Sequence, residues 1–194
     1  MLKREDFTLE PLTAFLSYSE PMSDPRFPIG KFERQAIYSP TDLEGMIRTL
    51  EQFPAQFRAA FAGLEAAQLD TPYRDGGWTL RQLAHHVPDS HLNAYVRFKL
   101  ALTEANPTIK PYAEALWANL PDSSLPIEVS LALLEGIHAR WTVILRSLQP
   151  SDWARTFEHP ANGLTRLDQS LALYDWHSRH HLGHAVNLRV QKGW

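Results

Sequence analysis

Seven of the nine histidines fall into two short clusters, HHVPDSH (His85, His86, His91) and HSRHHLGH (His177, His180, His181, His184). Imidazole serves both as a proton carrier near neutral pH and as a common ligand for divalent cations. The chain contains no cysteine, which excludes disulfides, thiolate metal sites and a cysteine nucleophile, so any ion must be held by nitrogen or oxygen. His177 and His181 are four residues apart and on a helix project from one face, about 40° apart and one turn up. Two imidazoles buried among Leu and Tyr leave ring nitrogens in need of partners, and one divalent cation at about 2.0 to 2.1 Å satisfies both. His180 points about 100° away from His181, although His180 and His184 repeat the same spacing. In the first cluster the spacing puts His91 near the middle of an apolar stripe, His86 on its border and His85 on the opposite, solvated side. The residues alone therefore leave both His86 and His91 open as a third ligand. Three protein ligands from two helices would leave a position for water, the arrangement of a catalytic site.

Proline marks the elements that must position these side chains, because it is tolerated at helix starts and disfavoured inside. Residues 1–40 hold five prolines and no sustained period and read as an irregular arm, with one helical turn near 12–18. From Asp42 onward, Leu43, Met46, Leu50, Phe53, Phe57, Phe61 and Leu64 recur at steps of three and four, which predicts an amphipathic helix A over about 41–67, bent at Pro54. TPYRDGGW (71–78) is turn chemistry, and helix B follows over about 79–104. A proline-rich connection with a short helix near 112–119 leads to helix C over about 127–148, which carries His138. The segment SDWARTFEHPANG shows no strand period and leads to helix D over about 165–191, with Leu167, Leu171, Tyr174, His177, His181, His184 and Leu188 on its stripe. The predicted fold is all-α: a four-helix bundle at 41–194 with long crossing connections, preceded by the arm at 1–40.

The 194 residues, 44% hydrophobic and 21% charged, suit one globular unit rather than a disordered chain. Nineteen basic and 22 acidic residues give a net charge of -3 with no Lys/Arg block, so nucleic acid is not an expected partner. No apolar run approaches the roughly 18 residues of a membrane span, and MLKREDFTLEPL lacks the apolar core of a secretory signal. A cytoplasmic location without a membrane partner is the expectation.

The stretch YRDGGWTLRQLAHHVPDSHLN (73–93) resembles the YfiT-like branch of the DinB-like superfamily of metal-dependent hydrolases, as do FPIGKF (27–32), RFKLALTE (97–104), HARW (138–141) and WHSRHH (176–181). The resemblance runs in one order from Phe27 to Trp194 and leaves residues 1–26 outside. It implies a four-helix bundle holding one divalent ion per chain, nickel or zinc, with one histidine from the second helix and two from the fourth. Its second-helix ligand lies eight residues after the Trp of the GGWT turn, which lands on His86; the other two land on His177, directly after Trp176, and on His181. Pro88 departs from the pattern, replacing a small helix former just after His86. The resemblance also implies a homodimer.

The function it implies is a metal-dependent hydrolase acting with activated water on a small-molecule amide or ester. A neighbouring branch uses the same three-histidine site to transfer low-molecular-weight thiols such as bacillithiol to electrophiles, which makes a thiol transferase the alternative. A non-catalytic metal- or ligand-binding stress protein is the third reading. The nucleophile is expected to come from outside the chain, which has neither cysteine nor a GxSxG serine. Of the remaining candidates, His138 reads as a core or supporting histidine. Asp89 and Asn93 follow His86 at helical steps and could orient a water or a ring, Arg97 and Lys99 read as surface charges, and the tryptophans as packing residues.

Overall fold

A computed structural model of the protein describes residues 24–194, so the helical turn expected near 12–18 lies outside the described residues. Residues 24–39 carry turns but neither helix nor strand. Four long helices follow: α1 (Pro40–Phe61), α3 (Leu80–Thr103), α5 (Ile127–Ser147) and α6 (Leu167–Lys192); the short α2 (Ala66–Leu69) and α4 (Glu114–Trp117) lie in the connections. Reciprocal capping sets two of the starts. Ser39 and Asp42 form a capping box before Pro40, and Thr79 and Gln82 do the same for α3, which fixes where the histidines of α3 come round the helix. Helix A is shorter than the periodicity predicts, because the chain leaves the helix at Ala62 and Gly63 takes a positive φ of 73°. Both α1 and α3 continue through an internal proline, Pro54 and Pro88.

Side-chain pairs give the helix directions. Arg58 meets Glu135 and Arg146 meets Glu51, so α1 and α5 are antiparallel; His86 meets His181 while Ser90 meets Tyr174, so α3 and α6 are antiparallel. His85 meets Ser130, His91 meets His138 and Phe98 meets Trp141, so the neighbours α3 and α5 run parallel. Parallel neighbours need a connection running the length of the bundle. The proline-rich stretch between α3 and α5 supplies it.

The connection before α6 holds a hairpin that the sequence pattern does not announce. β1 (Thr156–His159) and β2 (Gly163–Arg166) form an antiparallel hairpin with Phe157 opposite Thr165. Four-residue strands are too short for alternation to register, yet Phe157 is buried and backbone bonds from Ile109 N–H to Glu158 O and from Glu158 N–H to Pro107 O clip the α3–α5 connection to the hairpin. No helix among the described residues is long and apolar enough to cross a membrane.

The apolar core is divided. One cluster gathers Leu50, Phe98, Trp141, Leu171 and Tyr174; the other gathers Phe53, Phe57, Leu83, Leu134 and Leu188. His138 lies between Leu134 and Trp141 on α5, His177 and His181 lie between Tyr174 and Leu188 on α6, and His86 and His91 lie between Leu83 and Ala94 on α3. A layer of imidazoles thus crosses the bundle where an ordinary core would place aliphatic side chains.

Candidate metal centre

Each histidine of this layer is placed by its own helix. The turn at 73–78, with Gly76 at a φ of 64°, closes through Tyr73 N–H to Trp78 O at 3.1 Å and sets the Trp78 ring against His86, centroids 4.4 Å apart and planes tilted by 50°. Across from it on α6, His177 and His181 bring their Nε2 atoms to 3.1 Å from one another. His86 lies 5.1 Å from His181 and 5.6 Å from His177 by ring centroid. One ligand-capable atom from each of His86, His177 and His181 lies within 4.8 Å of the other two. His86 and His181 are buried, whereas solvent reaches His177.

Burial pushes His86 down to about 4 and holds His177 and His181 well below the usual histidine range, with neighbouring imidazoles adding to the effect on both. All three rings are therefore neutral at pH 7, the form that offers a lone pair. The His181 Nδ1 is buried without a hydrogen-bond partner. Two imidazole nitrogens facing each other at 3.1 Å must share a proton or a cation, and ligands held about 2.0 to 2.1 Å from one tetrahedral ion stand roughly 3.3 Å apart. The donor set fits a divalent ion of borderline softness.

The pattern of the DinB superfamily matches residues 49–185, which takes in all three histidines. The chain belongs to this superfamily. A relative from Bacillus mycoides is 50% identical over 173 residues, 89% of this chain and all of the relative, and one from Bacillus cereus matches equally; both carry the name "Putative metal-dependent hydrolase". Among solved structures, YfiT from Bacillus subtilis superposes with a TM-score of 0.85 at 44% identity over 88% of this chain and 98% of its own, and is described as "a probable metal-dependent hydrolase with an unusual four-helix bundle topology". A further four-helix bundle protein, TT2238, matches at a TM-score of 0.53 and 21% identity over 78% of this chain and 99% of its own, a likeness of fold alone.

The other residues singled out in the sequence find various places in this DinB bundle. His85 is not solvated: it is buried, with Nδ1 2.6 Å from Ser130 Oγ and Nε2 3.0 Å from the Leu125 carbonyl, and it ties the start of α5 to α3. The helical wheel puts it opposite the core stripe, but the chain just before α5 covers that side. His91 and His138 are buried directly behind His177. Asp89 is half-buried and its carboxyl is pushed up to about 6 by burial, with Asp122 adding to the shift. Asn93 spends its amide N–H on the Asp89 carbonyl and does not orient a ring. Lys99 is exposed, with its ammonium over the Tyr95 ring. Trp141 and Trp153 are packing residues, whereas Trp78 borders the cluster and Trp176 stacks on His180. Tyr174 gave no signal beyond a stripe position and Ser90 gave none, yet Ser90 Oγ lies 3.3 Å from Tyr174 OH and 3.5 Å from His177 Nε2.

Proposed function

We propose that the protein is a metal-dependent hydrolase whose divalent ion is held by His86, His177 and His181. The observation that carries this reading is the convergence of three neutral imidazoles from α3 and α6 within 4.8 Å, with two Nε2 atoms face to face. A zinc or nickel ion in such a nitrogen set supplies Lewis-acid chemistry, acidifying a water and polarising a carbonyl. The names of the relatives from Bacillus species and of YfiT support the same class of reaction.

The chain's own residues then have distinct tasks. Trp78 covers the His86 ring and keeps bulk water from that side. Ser90, whose hydroxyl borders His177 on the side of Tyr174, offers a hydrogen bond to a group entering there. Asp89 stands three residues after His86 on α3, about 60° round the helix, and its carboxyl, raised to about 6 by burial and by Asp122, is the candidate to accept and return a proton close to neutral pH. The test is a panel of esters and amides with the zinc-loaded and the metal-stripped protein, with and without bacillithiol or glutathione. Zinc-dependent cleavage without thiol is expected, and Asp89→Asn should lower kcat by about 10²-fold or more while leaving the bound zinc in place. Zinc-dependent thioether formation would replace the reading with a thiol transferase, and binding without any product would replace it with a non-catalytic ligand protein.

A further inference from the structure

The side chains behind His177 continue away from the site as a single file of hydrogen bonds. His177 Nδ1 lies 3.1 Å from His91 Nε2, His91 Nδ1 lies 2.8 Å from His138 Nε2, and His138 Nδ1 lies 2.6 Å from the carbonyl oxygen of Leu50. The file crosses α6, α3, α5 and α1 in turn and ends on backbone.

That last carbonyl is available for a local reason. In a continuous α-helix the oxygen of residue 50 accepts from the N–H of residue 54, and residue 54 is Pro54, which has none. Leu50 is fully buried, so its oxygen would be an unsatisfied acceptor without the imidazole of His138. A carbonyl can only accept, so His138 Nδ1 carries the proton. A neutral imidazole has one N–H, which leaves His138 Nε2 as an acceptor and makes His91 Nδ1 the donor to it. The same step repeated makes His91 Nε2 an acceptor and His177 Nδ1 the donor. His177 Nε2, the atom that faces His181, is left with a lone pair. His91 and His138 are both buried, where an imidazole is held in its neutral form.

We propose that the relay from the Leu50 carbonyl through His138 and His91 fixes the tautomer of His177, so that its Nε2 is committed to the metal. The relay does what a carboxylate behind a ligating histidine commonly does, but with neutral rings and a backbone oxygen as its terminus. It rests on the metal-centre reading given above, and makes His91 and His138 positioning residues that never touch the ion.

The experiment has two arms. In the metal-free wild-type protein, nitrogen-15 chemical shifts of the imidazoles should show the Nδ1–H tautomer at His138, His91 and His177. In parallel, zinc affinity is measured by competition with a chromophoric chelator for the wild type, for His138→Phe and for His159→Phe as a control on the hairpin. With folding checked by circular dichroism, His138→Phe should bind zinc roughly 10- to 100-fold more weakly, the loss typical of a partner behind a ligand, while the control should not change. An Nε2–H tautomer at His91 or His177, or unaltered affinity in a folded His138→Phe, overturns the relay. A wild-type protein that shows the three Nδ1–H tautomers but takes up no zinc overturns the metal-centre reading instead. Should His138→Phe fail to fold, the wild-type tautomers decide the matter by themselves.

Discussion

On α6, His177 and His181 face into the bundle, whereas His180 and His184 face the segment 27–32 and the turn at 73–78. The two pairs share their i, i+4 spacing, and both bring Nε2 atoms together, at 3.1 Å in the inner pair and 3.2 Å in the outer. Their surroundings diverge. The inner pair meets His86 from α3 and is backed by His91. The outer pair meets aromatic rings: Trp176 stacks on His180 at 4.4 Å and Tyr73 lies 4.1 Å from His184. Trp176 is itself held by its indole N–H on the Gly30 carbonyl, and Gly183 admits Pro28 where a Cβ would stand 3.3 Å from the proline ring. The spacing thus delivers two facing imidazoles in either case. A third imidazole from another element and a partner behind the ring distinguish the candidate metal site from an aromatic clasp against residues 27–32.

The largest expected effect breaks the comparison directly. Protein purified without nickel resin should carry about one divalent ion per chain. His86→Ala, His177→Ala and His181→Ala should each weaken binding beyond the roughly 10- to 100-fold that loss of a supporting partner costs, and His184→Ala should leave it intact. Elemental analysis reads the outcome. Equal metal loss in His184→Ala, or none in the inner three, would erase the distinction between the pairs.

An acid titration of the metal-free protein sharpens the comparison further, because it isolates the layer behind the inner pair. His138 has a folded pKa near 4 against 6.5 in an unfolded chain. Below pH 6.5 the unfolded state binds more protons at this ring, so its contribution to stability is level above 6.5, falls as the pH drops from 6.5 towards 4, and levels again below. A difference of roughly 2.5 units corresponds to about 3 kcal/mol from this one ring. Urea unfolding of the wild type and of His138→Leu at pH 7 and at pH 4.5 should show a shallower pH dependence in the variant. Parallel curves would mean that His138 charges freely in the folded protein.

How far these regions were legible in the sequence follows from what carried each signal. The helices α1, α3, α5 and α6 were visible because a buried stripe, mainly apolar in the first three and shared among Leu, Tyr and His in α6, repeats over about twenty residues in each. His177 and His181 were visible for the same reason, as polar residues on such a stripe. The choice between His86 and His91 was not, because both lie near the core side of α3 and only the resemblance favoured His86. In the bundle the two divide the work, His86 beside Trp78 and facing His181, and His91 behind His177 on the side of α5. His85 was misread because a helical wheel treats the far side as solvent, and the hairpin was missed because two four-residue strands leave no period to count. The parallel pairing of α3 with α5 could be read only from contacts between distant residues.

The smallest expected effect concerns the far end of the relay, which the outer pair lacks altogether. Pro54→Ala would restore an N–H at residue 54 aimed at the Leu50 carbonyl. A carbonyl oxygen has two lone pairs, so the new donor would share it with His138 rather than expel it. The bond to His138 Nδ1 should lengthen and its hold on the tautomers weaken, lowering zinc affinity by a few-fold, well short of the effect expected for His138→Phe. A proline-to-alanine change inside a helix ordinarily stabilises by about 3 kcal/mol, here reduced by the small void left at a buried position. The informative result is therefore a variant that resists urea at least as well as the wild type yet binds zinc more weakly, because lost stability could not then explain the lost affinity. Unchanged zinc affinity together with unchanged imidazole nitrogen shifts would show that the freed carbonyl of Leu50 is a packing accident and that the tautomer of His177 is set from the metal side alone.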